Sequence, residues 1–240
     1  MNFQCKENRT HKPFTSKALL VAMPLILAAC GGSGGGGSSS AENSTGVSGR
    51  AVKGVIGDAR IDLFPANPVG QPLGTTPTET TMTQADGSFN LPEVTEASLV
   101  KSAGGSFFDE ADQDPEGDGR NQIDLGINEG FESILFPGET TVAITPFTQL
   151  LVNKARREVT GDNFQQVIAK NRQIATDAFG FDPFTTMPAD PTAPGSGPIE
   201  ERRYALVIGG IANAINRISI ELGFPEPRFE IIQAVIADLS

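Results

Sequence analysis

The residue types richest in chemistry fall in one run: Asp109-Glu110-Ala111-Asp112-Gln113-Asp114-Pro115-Glu116-Gly117-Asp118-Gly119-Arg120-Asn121. Eight of these thirteen residues are acidic or amide, so oxygen ligands are plentiful. Calcium takes about six to eight oxygens, and a loop with acids at alternate positions ahead of a glycine can supply them. With Asp112 first, Asp114, Glu116, Gly117 and Asp118 take positions 3, 5, 6 and 7, but position 12 is Ile123. With Asp114 first, position 12 is Leu125. Neither register supplies the bidentate glutamate, and Pro115 constrains the loop. Asp109, Glu110, Asp112, Asp114, Glu116 and Asp118 are the candidate Ca2+ ligands, with Asp124 able to contribute from outside the template. A solvated acidic turn is the competing reading.

A second pointed feature is Cys30. Residues 1–17 hold Lys6, Arg9, Lys12 and Lys17 against one acid, Glu7, and residues 18–29 read ALLVAMPLILAA. A basic segment, an apolar segment and small residues at its end make a secretory signal. Its 12 apolar residues are too few to span a bilayer, and Pro24 disfavours a continuous helix. The closing Leu27-Ala28-Ala29-Cys30 resembles the lipobox of bacterial lipoproteins. That resemblance implies cleavage before Cys30 and a covalent lipid on its thiol. Gly31 rather than aspartate after the cysteine implies export to the outer membrane of a Gram-negative bacterium. Residues 31–46, GGSGGGGSSSAENSTG, read as a flexible tether spanning roughly 20–24 Å.

Several function classes are poorly served. The formal charge of −11 argues against nucleic acid, which needs clustered Lys and Arg. Removing 1–29 takes four basic and one acidic residue from 18 and 29, leaving 14 and 28, a net −14. So acidic a surface is repelled by anionic headgroups, leaving membrane attachment to the anchor. The lone histidine, His11, and Cys5 leave with the signal. The mature chain then lacks Ser-His-Asp and Cys-His chemistry, histidine-ligated metal and any internal disulfide. Ser98-Leu99-Val100-Lys101 matches S-x-x-K without its S-D-N and K-T-G partners, in a strand-like context. There is no phosphate-binding glycine loop and no C-x-x-C. Paired carboxylates could support glycoside hydrolysis, although the chain has one Tyr and no Trp to stack on sugars. Arg156-Arg157 and Arg202-Arg203 read as solvated basic pairs on helices, and Asn43-Ser44-Thr45 as a chance sequon.

Two composition regimes must position these groups. Residues 47–145 carry short strand-like runs at 47–52, 59–64, 80–83, 88–91, 97–100 and 141–144. Asp86-Gly87 between two of them predicts a hairpin. Residues 146–240 follow helical spacing. Thr145-Pro146 offers a cap and a first-turn proline for Phe147, Leu150, Leu151, Ala155 and Val159. Asp162 predicts the cap of a second helix with Phe164, Val167, Ile168, Ile174, Ala175 and Ala178 inward, ending near Gly180. After a Pro-rich loop at 181–198, a third helix places Tyr204, Ile208, Ile211, Ile215, Ile218 and Leu222 inward, with Gly223 at its end. Only 13 residues separate Arg203 from Arg217, so it reads as a core helix, and Gly209-Gly210 predicts a close helix contact. Phe229, Ile232, Val235, Ile236 and Leu239 mark a fourth.

The run Gly49-Arg50-Ala51-Val52-Lys53-Gly54-Val55-Ile56-Gly57-Asp58-Ala59-Arg60-Ile61-Asp62-Leu63-Phe64, then Leu73-Gly74-Thr75, then Thr83 to Pro92, resembles a carboxypeptidase-regulatory-like domain. Val55, Asp58, Ala51 and Lys53 depart from that family's pattern. The resemblance covers about 47–105 and implies a transthyretin-like β-sandwich without peptidase activity. Gly104-Gly105-Ser106-Phe107-Phe108-Asp109-Glu110-Ala111, with Val142 to Leu150, resembles a recurring bacterial surface-lipoprotein architecture of sandwich followed by helices.

The expected fold is therefore α+β and segregated. It comprises a signal peptide at 1–29, lipidated Cys30 and linker at 30–46, an antiparallel β-sandwich at 47–145 and a helical bundle at 146–240. The last helix reaches the chain end without a cap, so either it packs at the chain end or the chain is a fragment of a longer protein. The expected function is a non-catalytic, membrane-anchored envelope module. It would bind a protein or glycan partner and no nucleic acid, with calcium as its candidate stabiliser. The alternatives are a secreted hydrolase or accessory module using Asp/Glu, and a structural spacer.

Overall fold

The computed structural model describes residues 46–111, 122–193, 195, 197–224 and 229–240, all within a compact unit, Glu42–Ser240. Nine strands precede four helices among the described residues. In chain order the strands are β1 (Gly46–Ala51), β2 (Arg60–Pro65), β3 (Glu79–Met82), β4 (Ser88–Pro92), β5 (Ser98–Ala103), β6 (Ser106–Phe108), β7 (Gln122–Asp124), β8 (Glu132–Leu135) and β9 (Thr141–Ile144). The helices are α1 (Pro146–Glu158), α2 (Phe164–Phe179), α3 (Ile199–Glu221) and α4 (Phe229–Leu239). The chain is thus mixed α+β with the strands first.

One sheet has the order β4-β1-β9 and the other β3-β2-β5-β8, while β6 and β7 form a separate ribbon. Pairing is antiparallel except between β1 and β9, which run parallel from Ser48 opposite Thr141 to Ala51 opposite Ile144. Side chains alternate across a strand, and the two cores divide accordingly. Val47, Phe89, Leu91, Val142 and Ile144 of the first sheet share a core with Ile61, Leu63, Val100 and Leu135 of the second. Their chain neighbours Leu99, Ile134 and Ala143 point the other way, into a second core with α1, α2 and α3. Strands and helices are two regimes along the chain but they bury one another. Ile231, Ile232, Val235 and Ile236 of α4 even join the inter-sheet core.

Several local expectations are corrected. The Asp86-Gly87 turn exists, with Gly87 at φ +74, but β3 and β4 pair into different sheets. It carries the chain between layers instead of closing a hairpin. A Cβ on Gly87 would lie 2.6 Å from the Ala51 carbonyl oxygen, so close passage of β1 also demands glycine there. The strands β6, β7 and β8 carry no clean alternation and were not expected. The N-cap position of α2 is Asn163, not Asp162, and its side chain makes no capping bond to the helix; Asn163 Oδ1 accepts from Thr160 N instead. Ile174 and Leu222 are exposed rather than inward, and Ile218 lies at the margin. Cβ atoms on Gly209 and Gly210 would meet nothing within 4 Å, so no helix among the described residues packs closely there.

Helix α1 joins the two regimes. Thr145 caps it and Pro146 starts it, and Thr148 returns a bond to the Thr145 backbone in a capping box. Arg156, near its end, is not a solvated cation. It forks onto Glu132 of β8 through two 2.7 Å hydrogen bonds and donates a third to the Gly70 carbonyl. Planar bidentate pairing of this kind fixes geometry as well as charge.

Candidate functional site

The unusual chemistry lies beneath the acidic run. Strand β1 ends at Ala51 and the chain turns at Lys53-Gly54, with Val52 and Val55 bridging the turn. Gly57 and Ser106 then exchange two backbone hydrogen bonds of 3.0 Å, which zips this turn to the start of β6. Two glycines permit the approach. Gly54 has φ +54, and a Cβ there would sit 2.1 Å from the Phe108 carbonyl oxygen. Gly105 has φ +84, and a Cβ there would sit 2.5 Å from the Gly57 carbonyl oxygen. A side chain at either position would push β6 away from Lys53.

As a result, Lys53 meets two carboxylates. Its Nζ donates to Asp109 Oδ1 and Glu110 Oε2, each at 3.0 Å. All three side chains are buried, at 1%, 3% and 1% exposure. The ammonium also stands 5.0 Å from the centre of the buried Phe107 ring. Asp109 Oδ1 accepts a second hydrogen bond from Ala111 N. Glu110 Oε1 is buried with no hydrogen-bond partner among the described residues. Burial pushes the Glu110 carboxyl up to about 7; Lys53 opposes that shift and the Asp109 charge adds to it. One cation is therefore shared by two acids, and desolvation favours the neutral form of Glu110.

Two of the six candidate calcium ligands, Asp109 and Glu110, thus turn inward onto Lys53. Asp112, Asp114, Glu116 and Asp118 lie outside the described residues, as does Cys30. Asp124 is on β7, exposed, beside Gln122 Nε2 at 3.3 Å. Among the described residues no group of three or more His, Cys, Asp or Glu is placed to hold a metal ion.

Sequence reasoning registered Lys53 only as a departure from a family pattern. The missed signal is a lysine with Ala51, Val52, Val55 and Ile56 around it. A charge flanked closely by apolar residues in a tight, packed turn needs a buried counter-charge, and adjacent Asp109-Glu110 is the first acidic pair after a glycine pair.

Two surface features remain. A cleft of about 330 Å3 lies between the β1–β2 turn and the 188–192 loop, lined by Arg50, Asp58, Asp86, Phe108, Asp190 and Thr192 among others. Arg50 spans it, donating to the carbonyls of Asp86 and Pro188 at 3.0 and 3.1 Å. A groove of about 680 Å3 runs along α3, with Pro191, Ile199, Leu206 and Gly209 as its apolar part and Arg202 and Arg203 on its side. Leu206 is 76% exposed. The described lining of the groove holds one carboxylate, Asp190; beside the Pro-rich loop Glu139 and Asp182 do converge, both on the Arg172 guanidinium. Arg202-Arg203 is part of this groove wall.

A scan of family models, a search of curated proteins and a search of solved structures find no match to this chain.

Proposed function

We propose that this chain is a lipid-anchored envelope lipoprotein whose folded unit, a carboxypeptidase-regulatory-like sandwich with packed helices, binds a partner and performs no catalysis. The observation that carries the reading is the order basic segment, apolar segment, Leu27-Ala28-Ala29-Cys30, then a Gly/Ser tether. The start of β1 at Gly46, where the tether ends, fits it. Acyl chains on Cys30 would hold the bilayer at roughly 0.8 kcal/mol per buried methylene. The test is fractionation of the full chain from a double-membraned host fed a fatty-acid label. Wild type is expected labelled and in the outer-membrane fraction, with Cys30→Ser unlabelled. An unlabelled wild-type chain, or equal sedimentation of an unlabelled variant, removes the anchor.

Binding, as opposed to spacing, is supported by the α3 groove. An exposed leucine beside two guanidinium groups on an otherwise acidic chain suits a protein segment offering an apolar side chain next to a carboxylate. A photo-cross-linker at position 206 in the envelope-located chain is expected to give one discrete adduct, lost on Arg202→Glu, Arg203→Glu. No adduct would favour the spacer.

A further inference from the structure

From the contact of Lys53 with Asp109 and Glu110, we infer that this chain closes an internal amide cross-link, Lys53 Nζ to Glu110 Cδ, with Asp109 as the proton acceptor.

The geometry supplies what such a condensation needs. The nucleophile and both acids are within hydrogen-bond distance, with Nζ 3.0 Å from an oxygen of each. Near-contact held by a rigid fold replaces a bimolecular encounter by an intramolecular one, worth very large effective concentrations. The three side chains are buried and Phe107 covers the ammonium, so bulk water, which drives amides back to acid and amine, is kept away. The partners are separate in the chain but fixed in space, since the Gly57–Ser106 backbone pair holds the turn on β6.

The two acids differ in ways that assign their roles. Glu110 is pushed toward its neutral form by burial, and a neutral carboxylic acid is the form an amine can attack. Its Oε1 has no hydrogen-bond partner, so nothing among the described residues holds that oxygen in the carboxylate state. Asp109 instead has both of its contacts, Lys53 Nζ and the Ala111 amide, on Oδ1, which sets a second carboxylate beside the ammonium whose proton must leave.

The step balances within these groups. The Lys53 ammonium gives one proton to the Asp109 carboxylate. The freed amine attacks Cδ of the protonated Glu110 carboxyl, forming the C–N bond. A second proton moves from nitrogen to the departing hydroxyl, the C–O bond breaks, and one water leaves. Asp109 then returns its proton to solvent. No oxidant, reductant or activated donor is consumed. The product replaces a buried ion pair, costly to desolvate, by a neutral amide.

The test is a tryptic peptide map of the full chain, denatured after purification. The cross-link blocks cleavage after Lys53 and yields one branched species, Ala51–Arg60 joined to Ser102–Arg120 and lighter than the two peptides by one water. Fragment ions are expected to place the bond on Glu110. Lys53→Arg keeps the cation and Glu110→Ala removes the acyl group; both should abolish the species. Asp109→Asn should leave its site unchanged and slow its appearance after refolding at least tenfold. Because the wild-type map is itself decisive, a variant that fails to fold cannot rescue the idea. Linear peptides ending at Lys53 in the wild type overturn the proposal, and a bond on Asp109 overturns the assignment of roles.

Discussion

Replacing Tyr204 by phenylalanine removes one oxygen from the junction of three elements. The Tyr204 ring is fully buried, stacked at 4.5 Å on Phe181 and edge-on to Phe147 at 6.2 Å. Its hydroxyl donates to the Pro183 carbonyl at 2.7 Å and lies 2.8 Å from Thr145 Oγ1. A carbonyl can only accept, so the tyrosine proton goes to Pro183 and the Thr145 hydroxyl donates to the tyrosine oxygen. Thr145 Oγ1 in turn accepts from Thr148 N as the cap of α1. In the variant the rings still pack, but a buried carbonyl and a buried hydroxyl proton lose their partner. Each orphaned buried group costs about 1–3 kcal/mol, and partial relaxation puts the sum near 2 kcal/mol. For a unit of this size that is a fall in Tm of roughly 4–8 °C. Urea unfolding followed by far-ultraviolet circular dichroism measures it, since the variant has lost the chain's one tyrosine as an optical probe. The midpoint should fall with an unchanged slope. A loss under about 0.5 kcal/mol would refute the claim that this hydroxyl ties α3 to the α1 cap.

Three further outcomes follow from the same contacts. Arg156→Ala leaves Glu132 largely buried with only Lys101 at 3.7 Å; a loss of about 3 kcal/mol is expected, and Arg156→Met with Glu132→Gln should recover much of it in a double-mutant cycle. Gly54→Ala forces an L side chain to φ +54 against the Phe108 carbonyl; it should cost at least ~1 kcal/mol and increase hydrogen exchange at the Gly57 and Ser106 amides, and unchanged exchange would count against the zipped turn. The third concerns Lys53→Arg, which retains a cation but cannot condense, so Glu110 stays titratable between that cation and Asp109. With Lys53 as the cation, burial raises Glu110 to about 7 against 4.5 unfolded; the same burial beside arginine makes its contribution full below pH 4.5 and lost as pH rises through the raised folded value. That is on the order of 3 kcal/mol. Comparing urea midpoints of Lys53→Arg with Lys53→Arg, Glu110→Gln between pH 4 and 8 measures it, and parallel profiles would contradict the burial argument.

Much of the layering was legible because both periods were clean. Six short runs and four helical stripes announced β1, β2, β3, β4, β5, β9 and all four helices, since alternation and 3.6-residue spacing report burial directly. The strands β6, β7 and β8 were missed. Glu132 and Ser133 of β8 are polar yet buried, satisfied by Arg156 from α1 in the first case, and pairing across 24 residues leaves no local mark. The Asp86-Gly87 turn was visible, but a turn does not say which sheet each arm will join. At the site, the acids Asp109 and Glu110 were legible and their direction was not. Whether a carboxylate faces solvent or core depended on Lys53, 56 residues earlier for Asp109, and on two glycines that let the backbones touch.

The place of β1 has a mechanical meaning. It is the central strand of its sheet, paired with β4 over Gly46–Arg50 and with β9 over Ser48–Ala51. Consider a pull on the Gly46 end directed along this strand, with the rest of the fold held. Interstrand hydrogen bonds lie across that direction, so tension loads both ladders in shear, together, and cannot peel them one bond at a time. Lys53, two residues past the end of β1, bears on Asp109 and Glu110 behind that ladder. For a pull directed along β1, the first strand of this fold is therefore held by two neighbours at once.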